Sequence, residues 1–79
     1  MKDNPKYLII TAESLRALRE KRRENQTKFW KKFGVSQSRG SRFELGKELP
    51  LPVIILIKLY IEGVIHDCDL QKAKRKVTF

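Results

Sequence analysis

The chain has 79 residues, with 18 Lys and Arg against nine Asp and Glu, giving a formal net charge of +9. A chain of this size makes one domain and buries only about 60% of its unfolded surface, so a partner chain is an expected source of extra stability. The single cysteine, Cys68, excludes an internal disulfide, and with the single histidine, His66, it excludes a zinc site of recognised spacing.

A cationic excess of this size calls for a polyanionic partner, either nucleic acid or an anionic membrane surface. The membrane reading is the weaker one. Tyr7-Leu8-Ile9-Ile10 is too short for a signal-peptide core, and the apolar run 49–61 is broken by Pro50, Pro52 and Lys58 and too short to span a bilayer. A surface-lying helix would need a cationic face opposite an apolar one, and residues 52–61 carry a single Lys. The expected location is therefore cytoplasmic. One His, one Cys and no paired carboxylates on a predictable cleft offer no nucleophile and base, so no enzyme is expected. No cofactor or metal is expected either, and no small-molecule effector, because no sensing domain is visible.

Taken in chain order, residues 1–6 are polar and Tyr7–Ile10 is a short β-prone run. Thr11 can cap a helix with its hydroxyl, which puts Glu13 in the positive first turn. Leu15 and Leu18 share one face of that helix, with Arg16, Glu20, Arg22 and Arg23 elsewhere. Asn25 is the next cap, and residues 26–33 form a two-turn helix with Phe29, Trp30 and Phe33 inward. Gly34 ends it, because glycine takes the left-handed C-cap conformation without strain. Ser36 then caps a third helix over residues 37–45, and Gly46 closes it by the same logic. After the loop 47–50, Pro52 suits the first turn of a fourth helix, 52–61, before Gly63.

That fourth helix is apolar almost all round: Val53, Ile54, Ile55, Leu56, Ile57, Leu59, Tyr60 and Ile61. It must be covered on more than one face, and a domain this small cannot supply the second cover itself. The sequence thus predicts a homodimer through 52–61 and the tail 64–79. Asp67 or Asp69 can cap a short basic last helix, and Lys76-Val77-Thr78-Phe79 can extend and pair with Tyr7–Ile10. The fold class is all-α with four to five helices, leaving room for short terminal strands at 7–10 and 76–79. No repeat or linker divides the chain, so residues 1–79 read as a single domain.

Function is carried by residues 25–47, where two short helices meet at a glycine turn and a polar cap opens each. That is a helix-turn-helix layout, whose second helix enters the major groove tip first. Asn25-Gln26 resembles the Thr/Asn-Gln opening of the lambdoid phage repressor and Cro family, also called the XRE-type family. Phe33-Gly34-Val35-Ser36 resembles its Leu-Gly-Val-Ser turn, and Ser41-Arg42-Phe43-Glu44-Leu45-Gly46-Lys47 resembles its Ser-Arg-Ile/Trp-Glu-x-Gly-Lys ending. The resemblance covers about residues 14–63 and implies a lambda-repressor-like domain acting as a sequence-specific transcriptional regulator, in most cases a repressor. Such a dimer would place two recognition helices about 34–36 Å apart on a pseudo-palindromic operator in double-stranded DNA. Six to ten phosphate contacts would cost it about 10³–10⁵ in affinity from 50 to 200 mM salt. A protein-interaction module, or an antitoxin built on the same fold, is the alternative. RNA binding is disfavoured because the aromatic residues read as core and form no stacking platform.

Gln37 and Ser38 stand at the tip of the recognition helix, and Arg42 follows on the same face. Gln can pair bidentately with adenine and Arg with guanine, so Gln37, Ser38, Arg39 and Arg42 are the candidate base contacts. Arg39 serves equally as a flanking phosphate contact. Gln26 offers a backbone N–H and an amide at a helix N-terminus, which favours anions. The resemblance puts Asn25 and Gln26 together in that role, with Thr27, Lys28, Ser36, Ser41 and Lys47 as further phosphate candidates. Lys31 and Lys32 are placed away from the groove, and Lys72, Lys74, Arg75 and Lys76 are either a source of nonspecific attraction or a solvated tail.

Five residues read as structural: Gly34 at the turn, Arg19 and Glu44, Trp30 and Gly40. The resemblance implies a partly buried ion pair between Arg19 and Glu44. Trp30 and Gly40 depart from the family, which usually has a small residue at the first position and a β-branched one at the second. The two positions face each other where the helices cross, so the indole is expected to lie over Gly40 with total volume roughly kept. The competing expectation is an irregular third segment, since glycine within a helix costs about 0.5–1 kcal/mol relative to alanine.

Overall fold

The computed structural model describes residues 10–75 as five helices: α1 (Ala12–Lys21), α2 (Gln26–Lys31), α3 (Gln37–Glu44), α4 (Leu51–Ile61) and α5 (Asp67–Arg75). No strand occurs among the described residues, and the expected pairing of 7–10 with 76–79 lies, but for Ile10, outside them. The third segment is a regular helix.

Side chains open the first three helices. Thr11 accepts from the Ser14 backbone N–H at 3.0 Å, and Ser14 Oγ accepts from the Thr11 N–H at 2.9 Å, so two backbone donors are satisfied reciprocally. Asn25 Oδ1 accepts from the Lys28 N–H at 2.8 Å and Ser36 Oγ from the Arg39 N–H at 3.2 Å. At α5 the capping acid is Asp69, whose carboxylate accepts from the His66 N–H at 2.8 Å.

One device closes four helices. At α2 the Gly34 N–H reaches the Lys31 carbonyl at 3.1 Å while the Val35 N–H reaches back to the Trp30 carbonyl at 3.0 Å. These bonds draw the chain out of the helix after Lys31, two residues before the Phe33 end read from the sequence. Gly46 and Gly63 do the same for α3 and α4, all three glycines having positive φ. At α1 the left-handed position belongs to Arg23, with φ of 58°, where a Cβ is strained. Arg23→Gly removes about 1–2 kcal/mol of left-handed strain, partly offset by the greater freedom glycine gives the unfolded chain. A net gain of about 0.5–1 kcal/mol in urea unfolding is the expected result.

The core is Leu15, Phe29, Trp30, Phe33, Val35, Phe43, Ile57, Tyr60 and Leu70, drawn from all five helices and the turn. Phe29 meets Trp30 and Phe33 edge to face at centroid distances of 5.2 and 5.4 Å, and Phe33 meets Tyr60 at 5.4 Å. The Trp30 indole lies directly over Gly40; a Cβ built there would fall inside contact distance of its Cγ and Cδ1. Only one side of α4 is inside: Ile57 and Tyr60 are buried, while Leu51, Ile55 and Ile61 are exposed.

A polar cluster fastens α5 to the rest. The Tyr60 hydroxyl donates to Asp67 at 2.7 Å, Lys32 donates to Tyr60 at 3.0 Å and to Glu24 at 2.6 Å, and Arg22 pairs with Asp67 at 3.0 Å. Lys32 is therefore occupied internally.

Candidate nucleic-acid interface

The buried edge of α3 is Gly40, Phe43 and Glu44. At 3.6 residues per turn, Gln37, Ser41, Leu45, Ser38 and Arg42 follow one another around the opposite side over about 140°. All are exposed except Ser41, which is half-buried. Arg39 falls on the flank of this arc, its guanidinium 5.9 Å from the centroid of the Phe43 ring. The helix thus presents a polar face carrying one arginine within the arc and a second beside it.

Around this face stand the other candidates. Thr27, Lys28 and Lys47 are exposed. Asn25 and Ser36 are exposed too, and each spends a side-chain oxygen as acceptor on its helix cap. That leaves the donors, Asn25 Nδ2–H and Ser36 Oγ–H, unspent by those bonds, which is the polarity a phosphate oxygen requires. Gly34 lies in the turn between α2 and α3, with nothing crowding its α-carbon.

Beneath the face, Glu44 joins three side chains. It is 3% exposed. Arg19 grips it bidentately, Nε to Oε2 at 2.8 Å and Nη2 to Oε1 at 3.0 Å. The Trp30 indole N–H donates to Oε2 at 2.8 Å and Gln26 Nε2 donates to Oε1 at 3.2 Å. Gln26 in turn accepts from Gln37 Nε2 at 2.7 Å. A chain of hydrogen bonds therefore runs from the core carboxylate to the tip of α3.

Burial pushes the Glu44 carboxyl up, but the hydrogen bonds from Arg19, Trp30 and Gln26 outweigh it and hold the group below its ordinary value of 4.5. Asp67 is likewise held below 3.8, because bonds from Tyr60 and Lys32 outweigh its burial. A carboxyl lowered in the folded state binds its proton more readily in the unfolded one. The stability it contributes is complete above the unfolded value and is lost as pH falls through the folded value. Urea unfolding is therefore expected to show stability declining below about pH 4.5, with a shallower decline in Asp67→Asn.

Two residues bordering the face are absent from the sequence-derived set. Leu45 is 81% exposed on the same arc as Gln37. Arg16, an exposed residue of α1, lines a shallow hollow with Ser41 and Leu45. The signal for Arg16 was its position three residues before Arg19 on one helix face. An exposed leucine closing a helix gives no such signal.

Residues 16–60 match the model of the RsaL-like HTH domain. The solved structure of the quorum-sensing repressor RsaL of Pseudomonas aeruginosa is similar to this chain at 49% identity and a TM-score of 0.75, over 80% of this chain and 93% of that one. A search of curated proteins finds no match. No helix among the described residues is long and apolar enough to cross a membrane. With more than half its length matched, the chain belongs to the family of RsaL-like helix-turn-helix domains.

Proposed function

We propose that the protein is a sequence-specific DNA-binding transcriptional repressor, acting as a homodimer on a pseudo-palindromic operator. The observation that carries this reading is the division of α3 into a packed edge and an opposite polar arc of exposed Gln37, Ser38 and Arg42 with half-buried Ser41. A helix built this way can enter the major groove by its N-terminal tip, with Gln37 and Ser38 reaching base edges first and Arg42 a turn later. Arg39, on the flank, reaches a phosphate or a neighbouring base. Asn25, Gln26, Thr27, Lys28, Ser36 and Lys47 border the helix, Ser41 lies within it, and together they fix its register on the backbone. The repressing sense is supported by the similar RsaL repressor and by the resemblance of residues 25–47 to XRE-type repressors.

Dimerisation is supported by α4, whose outward side leaves Leu51 66% and Ile55 50% exposed. A second copy covering these side chains would remove their surface from water and set the two recognition helices in two-fold relation.

Selection from a random duplex library at about 150 mM salt, near physiological ionic strength, tests the reading. Wild type is expected to return a two-fold-symmetric motif that Gln37→Ala/Arg42→Ala loses, each contact contributing about 1–3 kcal/mol of discrimination. If wild type and double variant return the same unselected pool, the binding is charge-driven and the proposal fails.

A further inference from the structure

We propose that Glu44 sets the polarity of the Gln26–Gln37 amide pair and so fixes the hydrogen-bond pattern that Gln37 shows to DNA. The inference rests on the reading that Gln37 meets a base. An amide side chain can be turned end for end at little steric cost, so something must decide which end faces where. An ionised carboxylate decides it, because it only accepts. Glu44 Oε1 takes a hydrogen bond from Gln26 Nε2 at 3.2 Å, which turns the Gln26 carbonyl outward. That carbonyl accepts from Gln37 Nε2 at 2.7 Å. Gln37 thereby spends one N–H and keeps the other, together with its whole carbonyl, for a partner. A donor beside an acceptor in that order complements the N7 and N6 edge of adenine. Reversing Gln26 would place an N–H against Gln37, turn the Gln37 amide over and exchange its donor and acceptor.

Glu44 suits the task because it is buried and cannot reorient. Arg19 and Trp30 hold both of its oxygens, and the remaining approach to Oε1 is the one Gln26 uses. It makes no hydrogen bond to Gln37 itself and acts through Gln26, which makes it a positioning residue.

The test is selection from the same duplex library with five proteins, each also followed by thermal melting: wild type, Gln37→Ala, Glu44→Gln, Gln26→Met and Trp30→Phe. Wild type is expected to prefer adenine about tenfold or more at one position of each half-site. Glu44→Gln offers an N–H where the carboxylate accepted, and Gln26→Met breaks the chain of bonds. Both are expected to bring that one preference to within about twofold while the neighbouring positions keep theirs. Trp30→Phe removes one donor from Glu44 and loosens the core but leaves the carboxylate acceptor-only. It should melt earlier yet still prefer adenine. Should Glu44→Gln not fold, Gln26→Met decides, since Glu44 then keeps Arg19 and Trp30. Retention of the adenine preference in a folded Glu44→Gln or in Gln26→Met, or its loss in Trp30→Phe, overturns the proposal. If Gln37→Ala itself leaves the motif unchanged, the base-reading role of Gln37 fails with it; if only Gln37→Ala loses adenine, the polarity alone is refuted.

Discussion

Trp30→Ala is expected to cost about 3–5 kcal/mol in urea unfolding, the range for emptying an aromatic site in a core that cannot collapse around it. The indole is wholly buried, meets Phe29 and Phe43, and has its N–H satisfied by Glu44. The wall of its site on the α3 side is Gly40, where a Cβ would overlap the ring. Gly40→Ala is therefore also expected to destabilise, by about 1–3 kcal/mol, even though alanine is the better helix former. A propensity gain of about 0.5–1 kcal/mol is smaller than the overpacking cost. The decisive variant joins Trp30→Ala to a larger side chain at position 40, with Gly40→Val alone as the second single variant. Trp30→Ala/Gly40→Val puts a β-branched side chain into part of the space the indole vacates. Its loss should fall short of the summed single losses by about 0.5–3 kcal/mol, the coupling seen between residues in contact. Strict additivity would mean that the two positions do not share a volume.

The helix boundaries were legible to the extent that they are local. Thr11, Asn25 and Ser36 announce helix starts because a short polar side chain bonds a backbone N–H three residues on, and both partners lie within one turn. Gly34, Gly46 and Gly63 announce ends for an equally local reason, the sign of φ. Arg23 occupies the same backbone position at the end of α1, and nothing in its residue type signals it. There the bonds from Arg23 and Glu24 back to Glu20 and Arg19 impose the conformation against the preference of the side chain.

At the candidate interface the same division holds. Which α3 residues share a face follows from period 3.6 once Ser36 marks the start. The hydrogen-bond chain from Glu44 through Gln26 to Gln37 joins positions 18 and 11 residues apart, so it exists only after α2 and α3 have crossed. The Lys32, Tyr60 and Asp67 cluster was hidden for the same reason: its members come from the C-cap of α2, from α4 and from α5, and meet only in the folded chain. Periodicity gives the faces of helices; it cannot give the partners of the polar groups that those faces bury.

Glu44→Ala is expected to match the tryptophan truncation, at about 3–5 kcal/mol, because it strands a charge and two further donors at once. The Arg19 side chain is 15% exposed and would lose both of its bonds to the carboxylate, keeping the Nη1 bond to the Glu24 carbonyl at 3.0 Å. Trp30 Nε1, in a ring with no exposure, would have no acceptor, and an unsatisfied buried donor costs about 1–3 kcal/mol by itself. The size of the loss separates two views of the pair. If Arg19 and Glu44 contributed only as a surface ion pair, either truncation would cost about 0–1 kcal/mol and fade with salt. If the carboxylate is the common acceptor of a buried network, Glu44→Ala should cost more than Arg19→Met. That substitution removes the charge and keeps the apolar stem, while Trp30 and Gln26 retain their acceptor. The double variant Arg19→Met/Glu44→Ala should then recover part of the single Glu44 loss, because it no longer leaves the guanidinium without its counter-charge. Equal losses for both single variants, unchanged between low and high salt, would place the energy in the pair alone and leave Trp30 and Gln26 as bystanders.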